Sequence, residues 1–263
     1  MENVFLAFML TLIAGLCTCI GSYVVLFVKK ENKYFLPVSL GFSAGIMIYV
    51  SFIEIFQKSG EILTETLGEN LGNIANVLAF FGGMAVVAII DRLVPTQHNP
   101  HDIQDDNQLS KLNKEKLLNT GILTALAVGI HNFPEGLATF MSALYDPALA
   151  IPIVVAIAIH NIPEGIAVAV PIYYATDSKK KALKYSFLSG LSEPLGALIG
   201  YMVLRPFLSD TLIGIVFSAV GGIMVFISLD KLLPTAREQG DHHLSIYSLI
   251  AGMAVMALSL LLL

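Results

Sequence analysis

Two hexapeptides hold the residues of this chain most capable of chemistry. HNFPEG runs from His131 to Gly136, and HNIPEG from His160 to Gly165, 29 residues later, each within a long apolar run. A histidine and a glutamate four residues apart share one helix face a turn apart, with Asn132 or Asn161 about 100° to the side. Glu193, within LSEPLG, places another carboxylate in a later apolar run. A charged side chain at the centre of a bilayer costs about 2.5 to 3.5 kcal/mol on insertion scales, so several at one depth need compensation. A divalent cation supplies it: imidazole and carboxylate suit zinc and its first-row neighbours, and the amide oxygens of Asn132 and Asn161 suit a harder ion. One ion, or a pair bridged by Glu135 and Glu164, fits this donor set. The rival reading is a buried polar network that only joins helices; two copies of the motif plus Glu193 at one level argue against it. Pro134 and Pro163 free the carbonyls of Ile130 and Ile159, which are expected to face the same cavity, and Gly136 and Gly165 leave room for close helix approach.

The elements that must position these groups are membrane spans. At 56% hydrophobic and 13% charged, with mean hydropathy +0.75, the chain is too apolar for a soluble globule. The expected fold is all-α and transmembrane. Eight stretches reach the length needed to cross hydrocarbon: about 3–28, 35–57, 74–93, 120–143, 148–174, 184–204, 211–230 and 244–263. They form a single transporter-like domain, with 94–119 expected as a flexible loop. The first run lacks a basic leader and is too long for a signal peptide, so it reads as a span. Cys17 and Cys19 are too close in one apolar run to found a disulfide framework and read as packing residues. Thirteen of the fifteen basic residues fall in odd-numbered loops, which places those loops in the cytoplasm and both termini outside.

The chain also resembles itself. Residues Gly15–Gly21 of the first span match Gly190–Gly196 of the sixth, Gly45-Ile46-Met47 matches Gly222-Ile223-Met224, and GMAVVA from Gly83 matches GMAVMA from Gly252. Each pair lies five spans apart, an odd number, so the copies must cross the bilayer in opposite directions. The expected plan is an eight-helix bundle with an inverted 3+2+3 pseudo-two-fold repeat, an arrangement that gives transporters two interchangeable openings.

With the two hexapeptides, the glutamate of LSEPLG and the segment MVFISLDKLLPTARE, the sequence resembles the ZIP family of divalent-metal transporters, most closely its bacterial ZupT-type members. The resemblance covers essentially the whole chain. It implies import of Zn2+, often with Fe2+, Mn2+, Co2+ or Cd2+, through the cell (inner) membrane into the cytoplasm, with no enzymatic reaction and no organic cofactor. It also implies that His131, Glu135, His160 and Glu164 hold the primary ion, and that Asn132, Asn161 and Glu193 help hold a second. Met47 corresponds to a further family position that touches metal, and association as a homodimer is implied. The HExPHE pattern of some eukaryotic members is absent. The partners expected are divalent ions and the lipid bilayer, not nucleic acid. Alternating access is the expected mechanism; a metal-gated channel or an intramembrane metalloenzyme is the alternative, although no HExxH is present to supply a protease base.

Weaker signals surround this core. Glu54 near the outer end of the second span, followed by Glu61, Glu65 and Glu69 in an expected outer loop, would make an acidic mouth that concentrates cations. His98, His101, Asp102, Asp105 and Asp106, with His242 and His243, fall in loops that tolerate such residues without any metal role.

Overall fold

The computed structural model describes residues 2–29, 31–93, 106–145, 147–204 and 209–262, and all regular structure among them is helical. The helices join into eight rods. The first is α1 (Glu2–Ser22) with the single turn α2 (Val24–Phe27). The second is α3 (Phe35–Val50), a π-helical turn at Ser51–Ile55, and α4 (Phe56–Leu67). Then come α5 (Glu69–Leu93), α6 (Asp106–Tyr145), α7 (Pro147–Thr176), and α8 (Lys179–Ile199) continued by a π turn at Gly200–Leu204. The seventh is α9 (Asp210–Ile227), a π turn at Ser228–Leu232 and α10 (Leu233–Gln239); α11 (His242–Leu262) is the eighth.

Among the described residues, five rods are long and apolar enough to cross a membrane on those grounds alone: Val4–Phe27, Phe35–Leu67, Glu69–Arg92, Asp210–Gln239 and His242–Leu261. Their outer faces expose large apolar side chains that water would penalise, including Leu78 (68%) and Phe81 (60%) on α5 and Leu258 (60%) on α11. With every helical hydrogen bond satisfied within its own segment, such rods are what a multi-pass membrane protein requires.

Helix ends follow local chemistry. The Ser178 hydroxyl accepts the Lys181 N–H at 3.2 Å to start α8, and Ser209 accepts the Leu212 N–H at 3.2 Å to start α9. Gly68, at φ 81°, makes the reversal between α4 and α5, a conformation that side-chain-bearing residues avoid. This corrects the expected outer loop: Glu61 and Glu65 lie on α4, and Glu69 opens α5. The charges that signalled the end of the second span ride on an amphipathic helix that buries Ser59 and Leu63 and turns its carboxylates away. Similarly, α6 begins at Asp106, so residues 106–119 of the expected loop are helical. Residues 94–105, with His98, His101, Asp102 and Asp105, lie outside the described residues.

The rods pack so that α6, α7 and α8 meet one another and α1. Further out, α3 lies against α7 and α11, and α9 lies against α5, α4 and α6. The main apolar cluster joins α3, α7 and α9 through Leu40, Met47, Val168, Ile172, Met224 and Ile227. At Gly136 and Gly165 an added Cβ would run into the backbone carbonyls of Glu193 and Thr18, so these glycines set how closely α6 approaches α8 and α7 approaches α1. At the end of the bundle where α5 finishes, Lys231 Nζ lies 2.7 Å from Asp91 and 3.0 Å from Asp230, joining α5 to the π turn at Ser228–Leu232.

Candidate metal centre

Three adjacent helices deliver the polar groups: α6 carries His131, Asn132 and Glu135, α7 carries His160, Asn161 and Glu164, and α8 carries Glu193. Each side chain is buried except that of Glu135, which retains 14% exposure. The four-residue spacing works as helical geometry requires: His131 Nε2 lies 3.3 Å from Glu135 Oε2. The contact between helices is shorter, with His160 Nε2 3.0 Å from Glu135 Oε1. His131 Nε2 is also 3.7 Å from Glu164 Oε1. Ligand atoms of His131, Glu135 and His160 all lie within 4.8 Å of one another, a trio unmatched among the described residues.

The second layer lies beside the first. The Asn161 amide donates to Glu193 Oε2 at 2.8 Å and to the Ala14 carbonyl at 2.9 Å, linking α7 to α8 and α1. The Asn132 amide reaches toward the Ser189 carbonyl at 3.5 Å. Both amides thereby direct nitrogen to protein acceptors, which leaves Asn132 Oδ1 and Asn161 Oδ1 without donors.

Unsatisfied acceptors dominate this region. His131 Nε2, Glu135 Oε2, both Glu164 oxygens, Glu193 Oε1 and the two asparagine oxygens are buried without hydrogen-bond partners in the protein. Although His131 Nε2 and Glu135 Oε2 approach to 3.3 Å, their alignment does not make a hydrogen bond. Buried acceptors left unpaired are costly, and a convergent group of lone pairs is what a cation coordinates. Nitrogen and carboxylate oxygen on two facing helices suit a first-row divalent metal; the two amide oxygens and Glu193 could complete the shell of an adjacent ion.

A cavity of about 350 Å³ reaches this group, with His131 and Glu135 in its wall. Glu54 and Lys58 line it from the second rod, and Thr139 and Ser142 from α6. Glu54 thus lies in the cavity wall, brought there on the π turn at Ser51–Ile55, and one of its oxygens is buried without a partner. The sequence reading puts Lys58 in the outer loop, as one of the two basic residues outside the odd-numbered loops, and passes over Thr139 and Ser142. Helical register was the available signal, since Lys58 and Thr139 follow Glu54 and Glu135 by one turn.

Met47 is fully buried in the apolar cluster. One turn earlier on α3, the Ser43 hydroxyl donates to the Pro163 carbonyl at 2.9 Å, so this face of α3 is pinned to the second hexapeptide. Ile130 and Pro134 line a different, largely apolar groove between α6 and α8, on a side of α6 turned about 60° to 140° from His131 and Glu135. Cys17 and Cys19 are free and half-buried, and His242 and His243 form an exposed ring pair at the start of α11.

Known proteins are similar to the chain along its length. Residues 92–260 match the family described as "ZIP Zinc transporter". A protein of Clostridium perfringens named zinc transporter ZupT is 60% identical, with 100% of this chain and 97% of that protein aligned. Proteins of the same name from Streptococcus mutans and Chlorobium chlorochromatii are 59% and 56% identical, in both cases over 99% of this chain and 98% of theirs. These relatives are transporters rather than enzymes, which sets aside the metalloenzyme alternative. By a family match over more than half its length and by close identity along all of it, the chain belongs to the ZIP zinc transporter family.

Proposed function

We propose that the chain imports zinc, and with it other divalent first-row cations and cadmium, into the cytoplasm through the centre formed by α6, α7 and α8. The observation that carries this reading is the convergence of His131, Glu135 and His160 within 4.8 Å, with His131 and Glu135 in the wall of a cavity that Glu54 also lines. Glu54 attracts the hydrated ion, and the buried lone pairs of His131, Glu135, His160 and Glu164 replace its water. Asn132, Asn161 and Glu193 take a second ion beside the first, with Glu135 and Glu164 as bridges, and Met47 approaches from α3.

Alternating access follows from an inverted 3+2+3 repeat. What supports that repeat is a set of contacts that exchange when the copies are exchanged. Gly21 abuts the Ile162 carbonyl as Gly196 abuts that of Phe133; Gly83 abuts the Ala219 carbonyl as Gly252 abuts that of Phe42. The π turns at Ser51–Ile55 and Ser228–Leu232 fall at matching positions, each opened by a serine whose hydroxyl donates to the carbonyl of Met47 or Met224. Two related halves with nearly equal packings are what a rocking or sliding bundle needs. The basic-residue bias puts both termini outside and the cavity mouth with Glu54 on the outer face. Homodimerisation is carried over from the family resemblance alone.

Reconstituted liposomes test the reading: labelled zinc uptake should saturate, compete with other divalent ions, and vanish in a Glu135→Ala, Glu164→Ala double variant. Uptake by that variant equal to the parent's would refute it. Flux that rises linearly with driving force would make the protein a channel.

A further inference from the structure

The geometry points to a binding site for an anionic phospholipid in the cleft between α1 and the start of α8. The cleft, about 330 Å³, is lined by Lys180 and Lys184 above and by Ser22, Tyr23, Leu183 and Phe187 around and below. It rests on the chain lying in a bilayer and is independent of the metal centre.

Lys180, Lys184 and Phe187 recur at helical spacing, so one face of α8 changes from cationic to apolar as it descends from its N-terminus. The facing wall changes in the same sense: Tyr23, an interfacial aromatic, is 50% exposed, and Cys19, one turn deeper on α1, is half-buried and weakly polar. A phosphodiester head group with acyl chains has this same order of charge above and hydrocarbon below. Neither lysine has a carboxylate partner among the described residues, whereas neighbouring Lys179 is engaged, its Nζ donating to the Leu26 carbonyl at 2.9 Å and lying 5.9 Å from the Tyr173 ring. Two unpaired ammonium groups at the positive end of a 21-residue helix favour an anion, and basic pockets between spans select anionic head groups. A free phosphate would leave the apolar floor uncovered.

The full-length protein in neutral detergent, titrated with phosphatidylglycerol or phosphatidylcholine and read by native mass spectrometry, tests this. Phosphatidylglycerol should bind in preference, and a Lys180→Gln, Lys184→Gln variant should bind it about 30-fold more weakly, the factor that corresponds to about 1 kcal/mol for each of two lysines. A Lys29→Gln, Lys33→Gln variant, altered at the same end of the bundle but outside the cleft, should bind as the parent does. Replacing both cleft lysines with arginine should preserve binding, which separates lost charge from lost folding. Equal weakening in the two glutamine variants would mean general surface charge and overturn the site. Displacement of the lipid by millimolar inorganic phosphate would make the ligand a free anion and overturn it too, as would unchanged binding when Lys180 and Lys184 are neutralised.

Discussion

Replacing Glu164 with glutamine should stabilise the metal-free protein while removing most of the stabilisation that zinc confers. Glu164 is 1% exposed, neither oxygen has a hydrogen-bond partner, and His131 Nε2 lies 3.7 Å away. A charge so placed costs about 2.5 to 3.5 kcal/mol against hydrocarbon, and part of that is offset by the histidine, so the near-isosteric amide should gain about 1 to 3 kcal/mol in the presence of chelator. With zinc at about one hundred times the dissociation constant, ligand binding stabilises the parent by about 2.7 kcal/mol. If loss of one carboxylate ligand weakens binding about a hundredfold, the same zinc concentration stabilises the variant by only about 0.4 kcal/mol, roughly one-seventh as much. Thermal unfolding of the two proteins in detergent, with chelator and with zinc, reads both terms. A variant less stable than the parent in chelator that nevertheless retains the full zinc shift would refute the reasoning, because Glu164 would then be a structural residue rather than a ligand.

Other outcomes follow from the same geometry. Binding requires neutral imidazole and ionised carboxylate, so acidification should weaken zinc affinity and reduce uptake; calorimetry in buffers of differing ionisation enthalpy should record proton release on binding. Gly136→Ala forces a methyl group against the Glu193 carbonyl and should cost about 1 to 3 kcal/mol in unfolding free energy and impair uptake, whereas Gly82→Ala, whose Cβ meets nothing within 4 Å, should do neither. Glu54→Gln and Lys58→Gln alter the field of one cavity in opposite directions. The first should raise the KM for zinc and the second lower it at low ionic strength, with both effects shrinking as salt increases.

What was legible in the sequence was local. Ionisable residues inside apolar runs stand out, and a spacing of four fixes a shared helix face, so the His131–Glu135 contact was open to inspection before any coordinates. The shorter contact from His160 to Glu135, and the link from Asn161 to Glu193, join different helices, and no intrahelical spacing encodes them. Lys58 and Glu61 looked like the start of a loop because charge signals exit from hydrocarbon, yet α4 continues as an amphipathic helix to Gly68. The π turn that carries Glu54 has no local signature of the Gly or Pro kind, so which way that carboxylate turns had to come from the structure. The close approaches at Gly136 and Gly165 were foreseeable from residue size, but their partners, the carbonyls of Glu193 and Thr18, were not.

The central claim is that a divalent cation occupies the space between α6 and α7. Crystals grown with cadmium and measured for anomalous scattering test it most directly: a peak should lie within bonding reach of His131, Glu135 and His160. Cadmium peaks confined to other parts of the molecule, with none between those two helices, would contradict it.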